Sequence, residues 1–528
     1  MTIQEKITQS RTFLGIELGS TRIKATLIDD TFAPVASGSH GWENRLENGY
    51  WTYSLEDIHS GIQACYADLK RDISEKYGVQ LTTLGAVGIS AMMHGYMAFD
   101  KDGKLLVPFR TWRNTTTEQA ASELTKLFGF NIPQRWSISH LYQAILNGES
   151  HLPEVAHITT LAGYIHYLLT GNRVLGVGDA SGMFPITDCD YDKDMLAKFT
   201  EAAAKRGFTQ DIRTVLPKVL SAGEDGGVLT EEGAKFLDPD GGLKAGIPVC
   251  PPEGDAGTGM AATNAVLPRT GNVSAGTSIF SMLVLEKPLK GVYPEIDIVT
   301  TPDGAPVAMV HCNNCCSELD AWVKLFEEFS KLSGHPVDRS DIYEMLYRNT
   351  LNADKDCGGV IAYNYLSGEP VTGVENGRPS YFRLPGGSMN IGNFFRAQIY
   401  SAFAALSSGM AILFEKEQVT ADQFTGHGGL FKVEGVAQQY LADALNTAVS
   451  VMKTAGEGGS WGMALLAAYA VCGRNKALAD WLETEVFTGM ERRTVQPDAA
   501  GSKGFADFMK LYGKGLDAEK KLGDDTNA

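Results

Sequence analysis

The chain has 528 residues, of which 44% are hydrophobic and 21% are charged. These values are ordinary for globular proteins and exclude a largely disordered chain. A formal net charge of −17 excludes a broad surface for nucleic-acid phosphates. The N-terminus lacks the apolar core of a signal peptide, and no apolar run approaches the length of a membrane span. We therefore expect a cytoplasmic protein without nucleic-acid or membrane partners.

Cysteine usage agrees with a reducing compartment. Eight cysteines are scattered through the long chain, which does not predict a disulfide framework. Cys312, Cys315 and Cys316 cluster beside His311, but a zinc site would need a second pair of ligands at suitable spacing. We expect this cluster to be the thiols of a partly buried strand end.

The first half of the chain alternates between strand and helix patterns. The predicted strands cover 13–18, 22–29, 33–39 and 84–90, and the predicted helices cover 56–77, 117–128, 154–169 and 256–266. Three strands with close turns, followed by a helix and another strand, predict a mixed sheet with helices on its faces.

A second strand pair begins after Pro268, so we expect a domain boundary near 267. The helices predicted beyond it cover 394–416, 436–448 and 461–471. The last two of these helices follow glycine-rich loops at 426–429 and 456–459, and the polar residues from 517 onward are expected to fray. The predicted domains are 12–267 and 268–480, with a helical extension over 481–528.

Two short segments have the same pattern, and we call them the first turn (Leu18-Gly19-Ser20-Thr21) and the second turn (Ala275-Gly276-Thr277-Ser278). Each lies between two strand-like runs. Glycine lets backbone N–H groups approach an anion, and the neighbouring hydroxyls add donors. Either turn alone would be read as an ordinary hairpin. Their recurrence, one in each half, favours a pair of phosphate-binding turns and ATP-dependent phosphoryl transfer. Neither is a Walker A loop.

Two carboxylates are candidates for the chemistry. Glu17 stands in an apolar strand, where burial is costly unless the charge is paired or bound to metal; it is either an outer-shell Mg²⁺ ligand acting through water or a solvent-facing residue of an edge strand. Asp255, between Gly254 and a helix, is either an N-cap or the general base for an accepting hydroxyl, or both. Positioned proton transfer contributes roughly 10²–10⁴-fold to a rate.

Polar and aromatic residues in the first half are candidates for contacts with a polyol. Met93 and His94 follow the strand over 84–90, at a place where ligands often bind, although a lone histidine there is more often structural. Trp112 and Asn114 offer a ring face and an amide. Asp179 stands in a polar loop that a plain turn would also explain.

Taken together, these segments resemble the FGGY family of carbohydrate kinases over about residues 13–475. The matching pieces occur in the family's order. They are the first turn with its strand from Gly15, Ser90–Gly95, Trp112–Asn114, Gly178–Gly182, Gly254-Asp255, Ser274–Ser278, and the loop from Gly426 to Phe431.

The resemblance implies an α/β fold of two actin-like, ribonuclease-H-like domains with a cleft between them. It implies that Asp255 is the catalytic base, that Met93, His94, Trp112, Asn114 and Asp179 surround the sugar, and that Mg²⁺ lies near Glu17 and Asp255. The implied ATP contacts are Gly19, Ser20, Thr21, Gly276, Thr277, Ser278, Gly428, Gly429 and Phe431.

The implied activity is phosphorylation of a ketopentose, with D-xylulose or L-ribulose as the preferred expectation. Three departures from the family's pattern stand out: Glu17 replaces the usual aspartate, Asn114 stands where aspartate is common, and the helix over 394–416 lacks the usual glutamate-glycine pair. Other substrates (glycerol, gluconate or rhamnulose), an actin-like ATPase or chaperone, and a catalytically poor sugar sensor stay open, as does a homodimer.

Overall fold

The computed structural model describes residues 1–452 and 458–524. Its strands are β1 (Thr12–Leu18), β2 (Arg22–Asp29), β3 (Pro34–Gly41), β4 (Arg45–Glu47), β5 (Tyr50–Thr52), β6 (Ala86–Ala91), β7 (Met97–Phe99), β8 (His157–Thr159), β9 (Val174–Gly176), β10 (Ile186–Thr187), β11 (Asp190–Tyr191), β12 (Lys218–Leu220), β13 (Glu253–Gly254), β14 (Thr270–Ala275), β15 (Ile279–Val284), β16 (Asp297–Thr300), β17 (Pro306–Cys312), β18 (Val360–Tyr363), β19 (Ser380–Arg383), β20 (Gln423–His427), β21 (Ala448–Met452) and β22 (Arg492–Val495).

The α-helices are α1 (Ile3–Thr8), α2 (Leu55–Tyr77), α3 (Glu118–Phe128), α4 (Ser137–Asn147), α5 (Leu161–Thr170), α6 (Val177–Ser181), α7 (Lys193–Ala204), α8 (Ile212–Val215), α9 (Glu231–Leu237), α10 (Asp255–Ala262), α11 (Ser317–Leu332), α12 (Arg339–Asn349), α13 (Ile391–Ala411), α14 (Val436–Leu445), α15 (Gly458–Ala468), α16 (Leu478–Trp481) and α17 (Ala499–Asp524).

The chain folds into two compact units. The first contains Met1–Val266, Asp297–Val307 and Glu457–Gly489, and the second contains Leu267–Ile296, Ala308–Gly456 and Met490–Ala528, as far as these ranges are described. Two segments that follow the predicted boundary near 267 therefore pack with the first unit. One of them carries α15, which lies against β1 so closely that a Cβ on Gly15 would stand 2.1 Å from the carbonyl oxygen of Ser460.

The main sheet of the first unit has the strand order β13-β6-β1-β2-β3. β1, β2 and β3 pair antiparallel, while β6 pairs parallel to β1 and β13 pairs parallel to β6. The helix α2 packs on β3, where Gly38 faces the backbone of Cys65 and Leu69. A core of aliphatic and aromatic residues, including Leu14, Ile16 and Ile62, lies between these elements.

The second unit repeats this arrangement. Its strands β17, β15, β14, β20 and β21 lie side by side in that order, with β22 beyond them. β14 and β15 pair antiparallel, whereas β14, β20 and β21 run parallel. The two units thus share one plan, an antiparallel strand pair continued by parallel strands, which is the ribonuclease-H-like plan of actin-like proteins. The predicted α/β fold class with two such domains is confirmed.

Most predicted elements are present, with boundaries shifted by a few residues. The helix predicted over 154–169 is wrong in its first half, because 157–159 form β8 paired with β7 and the Thr160 side chain caps α5. The helix predicted over 256–266 ends at Ala262. The helix predicted over 436–448 ends at Leu445, before β21.

The predicted fraying after 517 is wrong as far as 524, because α17 continues to Asp524. Of the loop at 456–459, residues 456 and 457 lie outside the described residues. The helix predicted over 394–416 is α13 with a π-helical turn, Ile412–Lys416.

Contrary to the expectation from the sequence, this last segment is long and apolar enough to cross a membrane by length and composition. In its most apolar window, however, 72% is buried inside the protein. The asparagine and arginine of α13, Asn393 and Arg396, are themselves fully buried and hydrogen-bonded within the second unit. We therefore read α13 as a core helix of that unit.

Candidate active site

The carboxyl ends of β1, β6 and β13 form one edge of the first sheet. In the strand register both Glu17 of β1 and Glu253 of β13 lie level with Ser90 of β6. The loop that carries Met93 and the helix that begins with Asp255 follow directly. Ligands of α/β sheets commonly bind at such an edge, and here the topology brings four carboxylates and a histidine loop to it.

Asp255 is the first residue of α10, and its carboxylate is open to solvent. Gly254 occupies the N-cap position without a side-chain bond, so the alternative of an N-cap aspartate is wrong. The backbone N–H of Met93 donates to Oδ1 of Asp255 at 3.1 Å. Although one face is open, the surrounding protein removes enough water to raise the pKa of Asp255 to about 6, against the lowering effect of the Met93 N–H.

Glu17 lies on a central strand between β6 and β2, so the alternative of an edge-strand residue is wrong. Its carboxylate accepts a backbone hydrogen bond from Ser460 at the start of α15, and a Cβ on Gly459 would stand 2.5 Å from Glu17 Oε1. Burial and then the charge of Asp255 raise the pKa of Glu17 to about 7, while Lys24 lowers it. Glu17 and Asp255 are therefore close enough to repel each other.

Asp179 and Glu253 form a buried pair beside Asp255. Asp179 lies in α6 instead of the predicted loop; its Oδ2 accepts from Thr160 Oγ1 at 2.6 Å, and its Oδ1 has no hydrogen-bond partner among the described residues. A Cβ on Gly254 would stand 3.3 Å from that Oδ1. Burial raises the pKa of Asp179 to about 7, and burial together with the Asp179 charge raises the pKa of Glu253 to about 8.

Glu253 is a site residue that the sequence analysis missed. Its carboxylate accepts the backbone N–H groups of Gly178, Asp179 and Gly254, and a Cβ on Gly178 would stand 2.4 Å from its Oε1. Glu253 thus fixes α6, which carries Asp179, against the strand that leads to Asp255. The sequence signal that could have indicated this residue is a glutamate between two prolines, Pro251 and Pro252, and Gly254.

The Met93-His94 loop packs against α6. His94 is 5% exposed and has a positive φ of 68°, its Nδ1 lies 3.1 Å from the carbonyl oxygen of Gly182, and its ring stacks near Trp136. A Cβ on Gly182 would stand 2.6 Å from that Nδ1. These contacts fix the backbone and one ring face of His94, the residue directly after Met93, whose N–H contacts Asp255.

Trp112 and Asn114 differ in what they offer. The indole N–H of Trp112 donates to Ser20 Oγ at 3.1 Å, which joins it to the first turn. Asn114 is buried, and its amide bonds the backbone of Trp51 in both directions and the carbonyl of Thr111. Both amide hydrogens of Asn114 are thus used by the protein itself, and its role is to hold β5 beside the loop that carries Trp112.

The first turn is tightened by a hydrogen bond from Gly19 N–H to the carbonyl of Arg22. Its outward carbonyls are held by two rings: Trp42 Nε1 donates to Gly19 O at 2.7 Å, and Tyr53 Oη donates to Ser20 O at 2.6 Å. Within the described part of the chain, the backbone N–H groups of Ser20 and Thr21 donate no hydrogen bond. Two amides and two hydroxyls are therefore available to an anion.

The second turn has the same pattern of hydrogen bonds, with its carbonyls bonded and two of its N–H groups unused. Gly276 N–H donates to Ser278 O, while the carbonyls of Gly276 and Thr277 accept from backbone N–H groups of Cys316 and Cys315. Among the described residues, the N–H groups of Thr277 and Ser278 donate no hydrogen bond.

The loop after β20 lies beside the second turn, because β14 and β20 are parallel neighbours with Ser274 level with His427. Gly428 has φ of 105°, and a Cβ there would stand 2.3 Å from Ala275 O. Gly429 has open space around its Cβ position, and the ring of Phe431 packs under Gly426. The second unit thus brings together its six predicted ATP residues.

Family models match most of the chain. Residues 12–261 match the N-terminal domain and residues 271–471 the C-terminal domain of the FGGY family of carbohydrate kinases. The chain belongs to the FGGY family of carbohydrate kinases. It is a phosphotransferase that uses ATP to phosphorylate a carbohydrate.

Individual relatives are distant. A xylulose kinase from Haemophilus influenzae is 23% identical over 466 residues, which are 83% of this chain and 86% of that protein. The ligand-bound xylulose kinase from Lactobacillus acidophilus has a TM-score of 0.77 at 17% identity, covering 97% and 99% of the two chains. Plasmodium falciparum glycerol kinase with ADP has a TM-score of 0.75 at 17% identity, covering 96% and 98%. These structural likenesses support the shared fold.

Proposed function

We propose that this kinase phosphorylates a ketopentose, with D-xylulose or L-ribulose as substrate, and that Asp255 is its general base. The observation that carries the proposal is the position of Asp255, a solvent-reachable carboxylate held by the Met93 N–H beside the His94 loop. The Haemophilus influenzae relative, a xylulose kinase that matches 83% of this chain, supports a pentulose over a triose or a hexonate.

The protonation state of Asp255 suits a base. With a pKa of about 6, the carboxylate is ionised at neutral pH, yet it is more basic than an ordinary aspartate. Such a base accepts the proton of the attacking sugar hydroxyl as the bond to the γ-phosphorus forms. Asp179 and Glu253 have higher pKa values and stay protonated to higher pH than Asp255. Their protonation reduces the negative charge near Asp255.

The sugar contacts that we propose are Met93, His94, Trp112 and Asp179. Asp179 Oδ1 is buried without a partner and faces the Gly254 backbone, so a sugar hydroxyl would satisfy it. Asn114 contributes by positioning Trp112, because its own amide is used by backbone groups.

The phosphate and adenosine contacts that we propose follow from the donors left over in the two turns. The first turn offers amides at Ser20 and Thr21 beside Gly19, and the second turn offers amides at Thr277 and Ser278 beside Gly276. The open space at Gly429, in the loop whose Phe431 ring packs against Gly426, suits a flat base.

Mg²⁺ is the metal that this chemistry implies, and the residues fit it. Glu17 and Asp255 repel each other, which a divalent cation would relieve. No cluster of three or more ligating side chains occurs among the described residues; Mg²⁺ typically uses one or two carboxylates with water and substrate phosphates. When bound, Mg²⁺ would neutralise charge on the ATP phosphates. Glu17 and Asp255 would hold it through water.

A substrate panel tests the ketopentose proposal. ADP release is measured with ATP, Mg²⁺ and each of D-xylulose, L-ribulose, D-ribulose, glycerol, gluconate and L-rhamnulose. We expect kcat/KM for D-xylulose or L-ribulose to exceed the others by at least about tenfold. Equal ADP release with every sugar, or the highest kcat/KM with glycerol or gluconate, would overturn the proposed substrate while leaving the kinase family intact.

The role of Asp255 is tested by an isosteric variant and a pH profile. Asp255→Asn should lower kcat roughly 10²–10⁴-fold, whereas Asp240→Asn, at a side chain that is 85% exposed, should leave it unchanged. Because the base and the Glu17 carboxylate must both be ionised, kcat/KM of the wild type should rise with pH through about 6 and level off above about 7. Retained activity in Asp255→Asn, or no fall in kcat/KM between pH 7 and 5, would contradict this role.

We also infer a cytoplasmic location. All eight cysteines are free thiols, which fits a reducing compartment. The oligomeric state, for which a homodimer is one expectation, is measured by light scattering.

A further inference from the structure

Two adjacent cysteines lie in the second unit between β17 and α11. The sulfur atoms of Cys315 and Cys316 are 3.6 Å apart. Cys315 is 2% exposed, whereas Cys316 is partly exposed. Cys316 is therefore the more accessible residue of the pair, and its sulfur lies beside that of the buried Cys315.

This pair is joined to the second turn by backbone hydrogen bonds. Cys315 N–H donates to Thr277 O at 2.9 Å, and Cys316 N–H donates to Gly276 O at 3.0 Å. These bonds hold two carbonyls of the turn, whereas the N–H groups of Thr277 and Ser278 donate no hydrogen bond among the described residues. The position of the turn thus depends on the backbone of both cysteines, and the Cys316 N–H belongs to the peptide that links them.

The chain on either side of the pair is fixed. Glu369 Oε2 accepts the backbone N–H groups of Asn313 and Asn314 at 2.9 and 3.3 Å. Asn364 Nδ2 donates to Cys315 O at 3.0 Å, and α11 begins at Ser317. The Asn364 bond holds the carbonyl of the linking peptide itself, so a twist of that peptide strains this bond. Because the flanks are held, we expect the change to pass to the second turn as well.

We propose that Cys315 and Cys316 are an oxidation site that closes to a vicinal disulfide and displaces the second turn. The oxidant class is a peroxide. Hydrogen peroxide transfers one oxygen to the Cys316 sulfur, which becomes a sulfenic acid as one water leaves. The Cys315 sulfur then attacks the Cys316 sulfur, and the S–O bond breaks; the hydroxide takes the Cys315 proton and leaves as a second water. Two thiols lose two electrons and one peroxide gains them.

The displacement follows from chain geometry. Neighbouring Cα atoms are about 3.8 Å apart across a trans peptide, whereas disulfide-bonded cysteines usually have Cα atoms about 4.4–6.8 Å apart. Closing the bond must therefore twist the peptide between the two residues. The Cys316 hydrogen bond and burial raise the pKa of Cys315, which lowers the thiolate fraction of Cys315 and slows the closure.

The effect on ATP rests on the proposed phosphate role of the second turn, but the chemistry can be measured without it. Trypsin releases the reduced peptide 291–324, which contains Cys312, Cys315 and Cys316. After treatment of the whole protein with hydrogen peroxide, we expect this peptide to be about 2 Da lighter, because two thiol hydrogens are lost. Fragmentation between Asn313 and Asn314 should still separate the peptide, since a Cys315–Cys316 bond does not span that position. A bond from Cys312 to either partner, or no mass loss, would overturn the proposal.

The structural consequence is measured by hydrogen exchange and kinetics. In a background with the exposed thiols removed (Cys189→Ser and Cys472→Ser), peroxide should speed amide exchange over 270–284 and raise the KM for ATP about tenfold, the equivalent of the two weakened hydrogen bonds. Dithiothreitol should reverse both effects. Adding Cys316→Ser should keep the starting activity and abolish the response.

Unchanged exchange in a protein whose disulfide has formed would overturn the displacement. Faster exchange with an unchanged KM for ATP would instead overturn the phosphate role of the second turn and leave the oxidation site standing. An equal response in the Cys316→Ser variant would place the oxidation elsewhere and overturn the proposal.

Discussion

The first and second turns have matching sequences, yet they differ two residues before their shared glycine. Glu17 precedes Gly19 at that spacing, and Ser274 precedes Gly276. The supports also differ. In the first turn, the carbonyls of Gly19 and Ser20 are held by the side chains of Trp42 and Tyr53. The matching carbonyls of the second turn, at Gly276 and Thr277, are held by backbone N–H groups.

This difference separates two tasks. In both turns, carbonyl groups accept hydrogen bonds from the protein, while backbone N–H groups are left for an anion. This is the feature that the two turns share. At the position two residues before the glycine, only the first turn has a carboxylate, and the charge of Asp255 acts on it. We infer that both turns serve phosphate binding, while the cation and the proton transfer belong to the first unit.

Among the changes that test this comparison between the turns, removal of the Glu17 carboxylate has the largest expected effect. Glu17→Gln should lower kcat about 10–100-fold and raise the Mg²⁺ concentration for half-maximal activity, because loss of a residue that orients a metal's water shell typically has that cost. The matched change in the other turn, Ser274→Ala, should alter kcat by no more than about twofold. Both are measured by ADP release across a Mg²⁺ titration.

Equal losses in Glu17→Gln and Ser274→Ala would contradict the division of tasks between the turns. A fall in kcat for Glu17→Gln with no change in Mg²⁺ dependence would assign Glu17 to the positioning of Asp255 instead of to the cation.

The next effect is on the second unit. Gly428 has a backbone conformation that side chains rarely adopt, and Gly428→Ala would place a Cβ 2.3 Å from Ala275 O. We expect a loss of about 1–3 kcal/mol of unfolding free energy and a higher KM for ATP, since the second turn must shift. Gly429→Ala, which meets nothing within 4 Å, should leave the stability unchanged. Thermal denaturation of both variants checks this, and equal melting temperatures for the two would show that the Gly428 contact is dispensable.

The sequence predicts those elements of the fold that are determined by residues close together in the chain. The first and second turns, β1 to β3 and α2 follow from glycine, hydroxyl and periodicity signals within a few residues. The helix expected over 154–169 failed because β8 forms only through pairing with β7, about 60 residues away. Propensity within the segment cannot reveal such a partner.

The candidate site has the same limit. Asp255, Glu17 and Asp179 could be predicted as candidates from their motifs, whereas Glu253 gains its role from the register of β13 on β6 and from α6. The approach of Gly459 to the Glu17 carboxylate joins residues more than 400 positions apart. Such contacts need the fold.

The smallest expected effect concerns how the first turn is supported. Tyr53→Phe removes the hydroxyl that donates to Ser20 O and leaves the ring stacked on Trp42. We expect about 1 kcal/mol less unfolding free energy together with a KM for ATP raised about twofold to fivefold, because one carbonyl of the turn is released. Tyr77→Phe removes a similar hydroxyl bond to a carbonyl, that of Val35, and should lower the stability by a similar amount with the KM for ATP unchanged. If both variants bind ATP like the wild type, the Tyr53 hydroxyl is not needed to position the N–H groups of the first turn. The hydrogen bond from Gly19 N–H to Arg22 O would then be sufficient to position them.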